Sequence, residues 1–363
     1  MGIYLDHAAT TQICEAAKNT MITYMNDFGN PSSAHELGRQ ARVLIEDARE
    51  RIAKCINANP DEIYFTSGGS EANSWVVNNY ISLSSNFEHH SLKAHCKNAY
   101  IDKKGFVDTQ FFSNICHPNA SYFELESCMM VNNEIGTIQP IKNIANIAHS
   151  KNMLFHTDAV QAVGHIPIDV KDLNCDFLSA SAHKFNGPKG VGFIYIKNGV
   201  KIEPIIHGGR QEHGLRGGTE NVLGIIGMAA ALEDSVWHME EHNTYVKNLR
   251  DKLLAKLLQI PGSALNGSLE NRVSSNINIR FDGVSGAKLV TLCSLYGIYI
   301  SSGSACNEGV ATPSHVLKAI GLTDEEALSS VRITIGHTNT ESEIDQAANI
   351  IAALVERIRT DNE

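Results

Sequence analysis

The chain has 363 residues, of which 43% are hydrophobic and 19% are charged, and its formal net charge is −10. At about 150 residues per domain this length corresponds to roughly two domains, and the composition excludes a disordered or fibrous protein. The excess of acidic residues argues against nucleic-acid and anionic-membrane binding, because both need positive charge facing phosphates.

The first two-thirds of the chain alternates predicted helices with short apolar strands. Apolar residues from Leu37 to Ile56 recur at steps of three and four, which predicts an amphipathic helix over 36–57. A strand is predicted at 63–66, and the following residues 67–70 open a second helix. Further buried strands are predicted at 128–131, 153–157, 177–181 and 191–196. Such strands, alternating with helices, predict a mixed or parallel sheet covered by helices.

From about residue 242 the pattern changes to that of an α+β unit. The predicted elements are a helix at 242–259, a strand at 275–281, a helix near 286–296, strands near 298–301 and 331–335, and a final helix at 341–359. We therefore predict an α/β fold with a large mixed-sheet domain covered by helices over 13–241. A smaller α+β domain is predicted to comprise 1–12 and 242–363.

Membrane, export and metal-binding signals are not found in the sequence. The longest apolar run, 222–232, is interrupted by glycines and is far shorter than the ~20 residues that span a bilayer. The first six residues lack the basic and apolar regions of a secretory signal. The eight cysteines include no C-x-x-C pair, which argues against a zinc site and a disulfide framework. We expect a cytoplasmic enzyme without a metal.

The segment 179–190 contains the clearest chemical signal. A predicted strand ends in small hydroxyl residues and is followed by His183, Lys184 and a Gly-Pro turn. A lysine placed after a buried strand is partly desolvated, which lowers its pKa and frees the amine to form a Schiff base. Ser181 and His183 could donate hydrogen bonds to a phosphate. A lysine that simply extends into solvent is an equally good interpretation of this segment alone.

Two further segments lie at predicted strand ends, where ligands bind in open α/β sheets. Asp158 suits the carboxylate that pairs with the pyridinium nitrogen of pyridoxal 5′-phosphate (PLP), although helix capping is the commoner role of such a residue. The segment 66–73, with Gly69 and Ser70, could offer backbone N–H groups to a phosphate at a helix start. A tight turn has the same composition, so this signal is weak alone.

Cys306 lies among small residues in the segment 301–309, whereas the other cysteines mostly fall within apolar or helical stretches. A thiol in a loop of this kind is a candidate nucleophile. A loop cysteine without a function is the better interpretation of this segment by itself.

Taken together and in this order, these segments resemble the class V aminotransferase-type family of PLP enzymes, and within it the NifS/IscS-like cysteine desulfurases. The resemblance extends from Tyr4 to Glu356. Its motifs are YLDHAATT at 4–11, FGNPSS at 28–33, VNNEIG at 131–136, SAHK at 181–184, LRGGT at 215–219 and SGSAC at 302–306. The resemblance implies a PLP-dependent transferase fold, PLP as the cofactor and L-cysteine as the substrate.

The resemblance also assigns roles to individual residues. Lys184 would carry PLP and Asp158 would hold its pyridine nitrogen, while His89 would stack on the ring and shuttle protons. His90 leaves a one-residue ambiguity, and the preceding Glu88 favours His89. The other implied roles are hydrogen bonds near the phenolic oxygen from Gln161 and Asn133, phosphate binding by Gly69, Ser70, Ser181 and His183, phosphate binding in the partner subunit by Thr219, and substrate binding by Asn30 and Arg332.

The resemblance implies that L-cysteine is converted to L-alanine while Cys306 takes the sulfur as a persulfide. The composition around Cys306 fits a loop that carries the sulfur to an acceptor. The implied partners are a second copy of the chain, in a homodimer, and a sulfur-acceptor protein such as one of iron–sulfur cluster assembly. Departures from the family pattern at Arg210, His213, Asn307 and Glu308 affect the rate and the choice of acceptor more than the reaction type.

Two alternatives stay open on the sequence. A selenocysteine lyase or another class V PLP lyase would share the cofactor residues, although the Cys306 segment argues against most of these. A non-catalytic scaffold in a sulfur-transfer complex would have no reason to keep Lys184, Asp158 and Cys306 together.

Overall fold

A computed structural model describes residues 2–92, 96–99, 101–110, 123–302, 306–307 and 310–361. The helices in these ranges are α1 (Glu15–Thr23), α2 (Glu36–Cys55), α3 (Gly69–Asn79), α4 (Ile141–Ser150), α5 (Val170–Leu173), α6 (Val222–Trp237), α7 (Met239–Leu257), α8 (Gly286–Leu295), α9 (His315–Ala319), α10 (Asp324–Leu328) and α11 (Glu341–Thr360). Short 3-10 turns occur at Pro60–Glu62, Ala182–Lys184 and Glu212–Gly214.

The strands fall into one large sheet and several smaller ones. They are β1 (Ile3–Tyr4), β2 (Ile63–Thr66), β3 (Ser82–Ser85), β4 (Cys96–Ala99), β5 (Leu125–Ser127), β6 (Leu154–Asp158), β7 (Phe177–Ser181), β8 (Gly192–Ile196), β9 (Ser263–Leu265), β10 (Asn276–Phe281), β11 (Ile298–Tyr299), β12 (Ser301–Ser302), β13 (Cys306–Asn307), β14 (Val310–Ala311) and β15 (Ser330–Thr334).

The large sheet has the strand order β2-β8-β7-β6-β5-β3-β4. Strand β8 runs antiparallel to both neighbours and the other neighbouring pairs are parallel, so the sheet is mixed. Every residue of β7 and β8 is buried, as expected for strands covered by helices on both faces. The predicted mixed sheet is confirmed. Its register pairs Asp158 with Ser179, so Asp158 and the turn that follows β7 emerge at the same edge.

Amphipathic and fully apolar helices cover this sheet. Helix α2 buries Ala41, Ile45, Ala48 and Ile52 on one face, which is the predicted period of three and four residues. The apolar run 222–232 lies in α6 and is buried over most of its surface because α1 and α2 pack against it. Among the described residues, no helix combines the length and the apolarity needed to cross a membrane.

The second core surrounds an antiparallel sheet with the strand order β12-β15-β10-β9. Helices α7, α8 and α11 contribute apolar residues to it, and two N-terminal residues, Ile3 and Leu5, join the same cluster. Strand β1 pairs in parallel with β11, which fixes the N-terminus against this sheet. These contacts favour the small domain proposed from the sequence, and its boundary at 242 stays a prediction.

One predicted strand is wrong and another is divided. The strand predicted at 128–131 lies instead at β5, Leu125–Ser127. The run Cys128–Val131 is apolar because it is buried in the main core, rather than because it forms a strand of the ladder. The strand predicted near 298–301 is two short strands, since β11 pairs with β1 and β12 pairs with β15.

Candidate active site

A cavity of about 570 Å³ opens at the carboxyl edge of the large sheet, beside the ends of β6 and β7. Most of the residues predicted for the site line it. They are Gly69, Ser70, His89, Asn133, Asp158, Gln161, Ser181, His183, Lys184 and Arg332. The sheet, α3, the N-terminal segment and β15 therefore converge on one cavity, as ligand sites at strand ends require.

Lys184 ends the 3-10 turn that directly follows β7. Its Nζ donates to the carbonyl oxygens of Ala8 at 2.6 Å and Ala9 at 2.9 Å. The pKa of Lys184 is lowered to about 8, mainly by burial and also by the positive charge of Arg332, while the carboxylates of Asp158 and Asp6 oppose the shift. A substantial fraction of the amine is therefore neutral near pH 8, which is the form that attacks a carbonyl.

Asp158, the last residue of β6, is only 3% exposed and both of its carboxylate oxygens accept hydrogen bonds. Oδ1 accepts from the backbone N–H of Val160 at 2.9 Å, and Oδ2 accepts from Nδ2 of Asn73 at 2.6 Å. The first contact is a local turn, so no helix is capped here. The second fixes the carboxylate at the cavity wall, where it could hold a pyridinium nitrogen.

The segment that joins β2 to α3 forms a cradle of backbone at the cavity wall. Gly68 has a φ of 150°, and a Cβ on Gly69 would lie 2.4 Å from Cγ2 of Val160, so neither position tolerates a side chain without adjustment. The start of α3 presents N–H groups that have no partner within the helix. This arrangement fits a phosphate, and the phosphate end of PLP suits it.

His183 lines the same cavity and contacts Oγ1 of Thr10 through Nδ1 at 3.2 Å. Burial, together with the charges of Lys184 and Lys189, lowers the pKa of His183 to about 4. The imidazole is therefore neutral at physiological pH, and it would serve a phosphate as a hydrogen-bond donor rather than as a cation.

Arg332 lies on β15 and reaches the cavity from the antiparallel sheet. Its Nη2 pairs with Oδ1 of Asp6 at 2.8 Å and its Nη1 donates to the carbonyl oxygen of Asn133 at 3.0 Å. Nε is buried and has no hydrogen-bond partner among the residues that the structure describes. A guanidinium held in this way, with donor capacity left over, suits the carboxylate of an amino-acid substrate.

His89 lines the cavity, whereas His90 packs against the ring of His315 with the centroids 4.7 Å apart. This placement is the one expected of His89, and its role in the reaction stays a prediction. Partial desolvation of the ring lowers the pKa of His89 although the residue as a whole is exposed, and the charges of Lys184 and His90 lower it further. Asp158 opposes this effect.

Two predicted site residues lie away from the cavity of the single chain. Asn30 and Thr219 are exposed and do not line it, and Oδ1 of Asn30 accepts from the backbone N–H of Ser32 at 2.9 Å. Their roles stay predictions. Arg210 is also exposed, and His213, at a φ of 56°, packs its ring against Tyr64.

Cys306 belongs to the two-residue strand β13, whose backbone pairs with that of β14. Its side chain lies outside the described part of the structure, as do residues 303–305 and 308–309. The assignment of Cys306 as nucleophile, and the effects expected of Asn307 and Glu308, therefore stay predictions.

The sequence did not identify Asn73 and Asp6 as site residues. Asn73 lies within the segment recognised as a phosphate cradle, and its three-residue spacing from Ser70 on α3 places both on one helix face. Asp6 lies in the N-terminal motif, but only its contact with Arg332 reveals a role.

Comparison with known proteins identifies the family. The profile of the family described as "Aminotransferase class-V" matches residues 3–347. The chain belongs to this family. The cysteine desulfurase IscS of Methanosarcina thermophila is 41% identical over 99% of this chain and 93% of its own length. The cysteine desulfurase NifS of Azotobacter vinelandii is 36% identical over 98% of this chain and 93% of its own length.

Solved structures of similar proteins have the same fold. A NifS-like protein superposes with a TM-score of 0.91 at 35% identity, covering 98% of this chain and 100% of that one. A NifS-like protein from Rickettsia africae gives 0.89 at 35% identity, covering 99% of both chains. A structure described as SspA in complex with cysteine gives 0.79 at 32% identity over 93% of this chain. The predicted class V membership, the NifS/IscS-like resemblance and the predicted fold are confirmed.

Proposed function

We propose that this class V enzyme is a PLP-dependent cysteine desulfurase that converts L-cysteine to L-alanine and leaves a persulfide on Cys306. The observation that carries the proposal is the single cavity that holds Lys184, Asp158 and Arg332 beside a backbone cradle. The names of the curated relatives, and the neighbour described as a complex with cysteine, support the same reaction.

PLP would be held by Lys184 at its aldehyde carbon, by Asp158 at its ring nitrogen and by the cradle at its phosphate. Gln161 and Asn133 line the cavity where its phenolic oxygen would lie. When bound, PLP supplies an electron sink that makes bonds to the substrate's Cα and Cβ labile. The partly neutral amine of Lys184 can then take and return a proton at Nζ.

Arg332 would orient the substrate through its carboxylate. Because Asp6 occupies one guanidinium nitrogen and the carbonyl oxygen of Asn133 another, the substrate must share or displace these contacts. The bidentate geometry of the guanidinium suits an α-carboxylate, so the enzyme should prefer amino acids over simple thiols.

The sulfur step balances without an added oxidant. The Cys306 thiolate attacks the substrate sulfur, an S–S bond forms and the Cβ–S bond breaks. The carbon that loses sulfur gains a proton and becomes the methyl group of alanine. The persulfide then passes to a sulfur-acceptor protein, such as one of iron–sulfur cluster assembly, and a cytoplasmic location stays our prediction.

A homodimer would complete the site. Thr219 is exposed and close in sequence to the glycines of 207–218, which allow a backbone to approach a phosphate of a second subunit. Exposed apolar residues near the N-terminus provide a surface that a second copy could cover. They are Ile22, Met25, Phe28 and Val43.

The test compares Cys306→Ala and Lys184→Ala with the natural enzyme and with Lys189→Ala as the control, since Lys189 lines the same cavity. Lys184→Ala should lose the absorbance of covalently bound PLP. Cys306→Ala should keep it, respond spectrally to L-cysteine and form no persulfide. Borohydride reduction that labels a lysine other than Lys184, or full alanine production by Cys306→Ala, would contradict the proposal. Alanine formed from selenocysteine but not from cysteine would favour a selenocysteine lyase.

A further inference from the structure

Four side chains, those of Asp158, Asn73, Ser91 and His89, form a continuous chain of hydrogen bonds beside the cavity. Nδ2 of Asn73 donates to Oδ2 of Asp158 at 2.6 Å and to Oγ of Ser91 at 3.0 Å. Oγ of Ser91 lies 2.7 Å from Nδ1 of His89. The turn over 89–92 closes with a hydrogen bond from the backbone N–H of Leu92 to the carbonyl oxygen of His89, and this brings Ser91 beside the ring.

The direction of each hydrogen bond follows from the donors present. An amide oxygen 2.6 Å from a carboxylate oxygen would be repelled, so the NH2 group of Asn73 must face Asp158. The same NH2 group supplies its second hydrogen to Ser91. Because the Ser91 oxygen accepts from Asn73, its own hydrogen is free to point at Nδ1 of His89.

A second contact decides the protonation of the ring. The backbone N–H of Ser91 also donates to Nδ1 of His89, at 3.2 Å. A backbone amide can only donate, so Nδ1 must present a lone pair. A hydrogen on Nδ1 could still be accepted by Oγ of Ser91, but it would face the backbone N–H of Ser91 and lose that bond. The neutral ring therefore carries its hydrogen on Nε2, and the imidazolium form is disfavoured for the same reason.

We propose that Ser91, held by Asn73, is a positioning residue that fixes His89 as a neutral imidazole with its hydrogen on Nε2. His89 then enters the reaction as a hydrogen-bond donor, not as the base that deprotonates the Cys306 thiol. This inference rests on the proposed function and replaces the proton-shuttle role expected of His89 with that of a hydrogen-bond donor. The groups that act on the charge of the ring are Asp158, Lys184 and His90.

The test is nitrogen NMR on the enzyme carrying ¹⁵N-labelled histidine, with the His89 signals assigned by their loss in His89→Gln. The natural enzyme should show a protonated Nε2 and an unprotonated Nδ1 near pH 7.5. Ser91→Ala loses the hydroxyl but keeps the backbone N–H, so it should raise the Nδ1-protonated fraction without making that form dominant, and Ser91→Thr, which keeps the hydroxyl, should match the natural enzyme. Ser74→Ala is the control, because Ser74 follows Asn73 on α3 and its hydroxyl donates to the carbonyl oxygen of Ser91, not to the His89 ring.

Ser91→Ala should also lower kcat by about tenfold, the value of one hydrogen bond, and leave KM for cysteine near its natural value because Arg332 is untouched. A natural enzyme with its hydrogen on Nδ1 would overturn the proposal, as would an Nδ1-protonated fraction in Ser91→Ala no higher than that of the natural enzyme. The NMR signals report the ring and not the reaction, so a failed desulfurase assay would count against the proposed function alone.

Discussion

At the scale of single residues, the cavity changes the acid–base chemistry of a lysine by desolvation. The usual pKa of a lysine would leave Lys184 almost wholly charged at neutral pH. Burial at the end of β7 brings its pKa to about 8. A strand end therefore does what a neighbouring catalytic base does in other enzymes: it makes an amine nucleophilic.

This makes the titration of Lys184 a direct test of the residue's environment. In the PLP-free enzyme, labelling of Lys184 by trinitrobenzenesulfonate should rise with pH around a midpoint near 8, since only the neutral amine reacts. Arg332→Gln should raise the midpoint and Asp6→Asn should lower it, because these charges act in opposite directions. Peptide mapping at each pH measures the fraction of Lys184 that has been labelled. A midpoint at the usual lysine value, about 10.5, would show that burial has no such effect.

The residues that the sequence could predict are those that stand in a local pattern. Lys184 and Asp158 follow apolar strands, and Gly69 and Ser70 lie between a strand and a helix. Asn73 could not be assigned in this way because its partner Asp158 is 85 positions away in the sequence. Roles defined by such long-range contacts become visible only after the chain has folded.

At the scale of the elements, a buried ion pair attaches the glycine-rich segment before Thr219 to α2. Nη1 and Nη2 of Arg49 donate to both carboxylate oxygens of Glu212 at 2.8 and 2.9 Å, and each residue is 2% exposed. Glu212 also accepts from the backbone N–H of Phe65 on β2. The segment proposed to contact the PLP phosphate in the partner subunit is therefore held by α2 and β2. Strand β2 leads directly into the backbone cradle of its own subunit.

Removal of this pair should destabilise the enzyme strongly. Arg49→Ala should lower the free energy of unfolding by about 3–5 kcal/mol, because it leaves the Glu212 carboxylate buried without a counter-charge. Arg39→Ala is the matched control on the same helix, since its ion pair with Glu36 is exposed and should contribute less than about 1 kcal/mol. Urea unfolding followed by circular dichroism measures the free energy of unfolding of both variants. Equal losses would contradict the larger contribution expected of the buried pair.

The strands show why local pattern succeeds in some places and fails in others. The predictions for β2 and β7 match the structure because each apolar run ends at glycine or hydroxyl residues that also end the strand. The run 128–131 misled because it is apolar for another reason, burial in the core beyond the end of β5. Apolar patterning records burial, and strand pairing must be inferred from it.

At the scale of the whole molecule, the proposed homodimer places one residue of each subunit in the other's site. Thr219→Ala should weaken PLP binding, while Lys184→Ala should abolish covalent attachment. Mixed and refolded together in equal amounts, the two variants should recover about a quarter of the natural activity, because half of the dimers are hybrids with one intact site each.

Sedimentation should show a dimer in each sample. The control is the activity of each variant refolded by itself, without mixing. Absence of recovery in the mixture, with dimers present, would show that Thr219 serves its own subunit.

The ion pair between Asp6 and Arg332 joins residues 326 positions apart, and the backbone of the same N-terminal segment holds the Lys184 amine. During translation Asp6 leaves the ribosome long before Arg332 has been synthesised. Non-local contacts of this kind form late, since closing so long a loop is entropically costly. Assembly of the cavity, and cofactor loading with it, must therefore follow synthesis of nearly the entire chain.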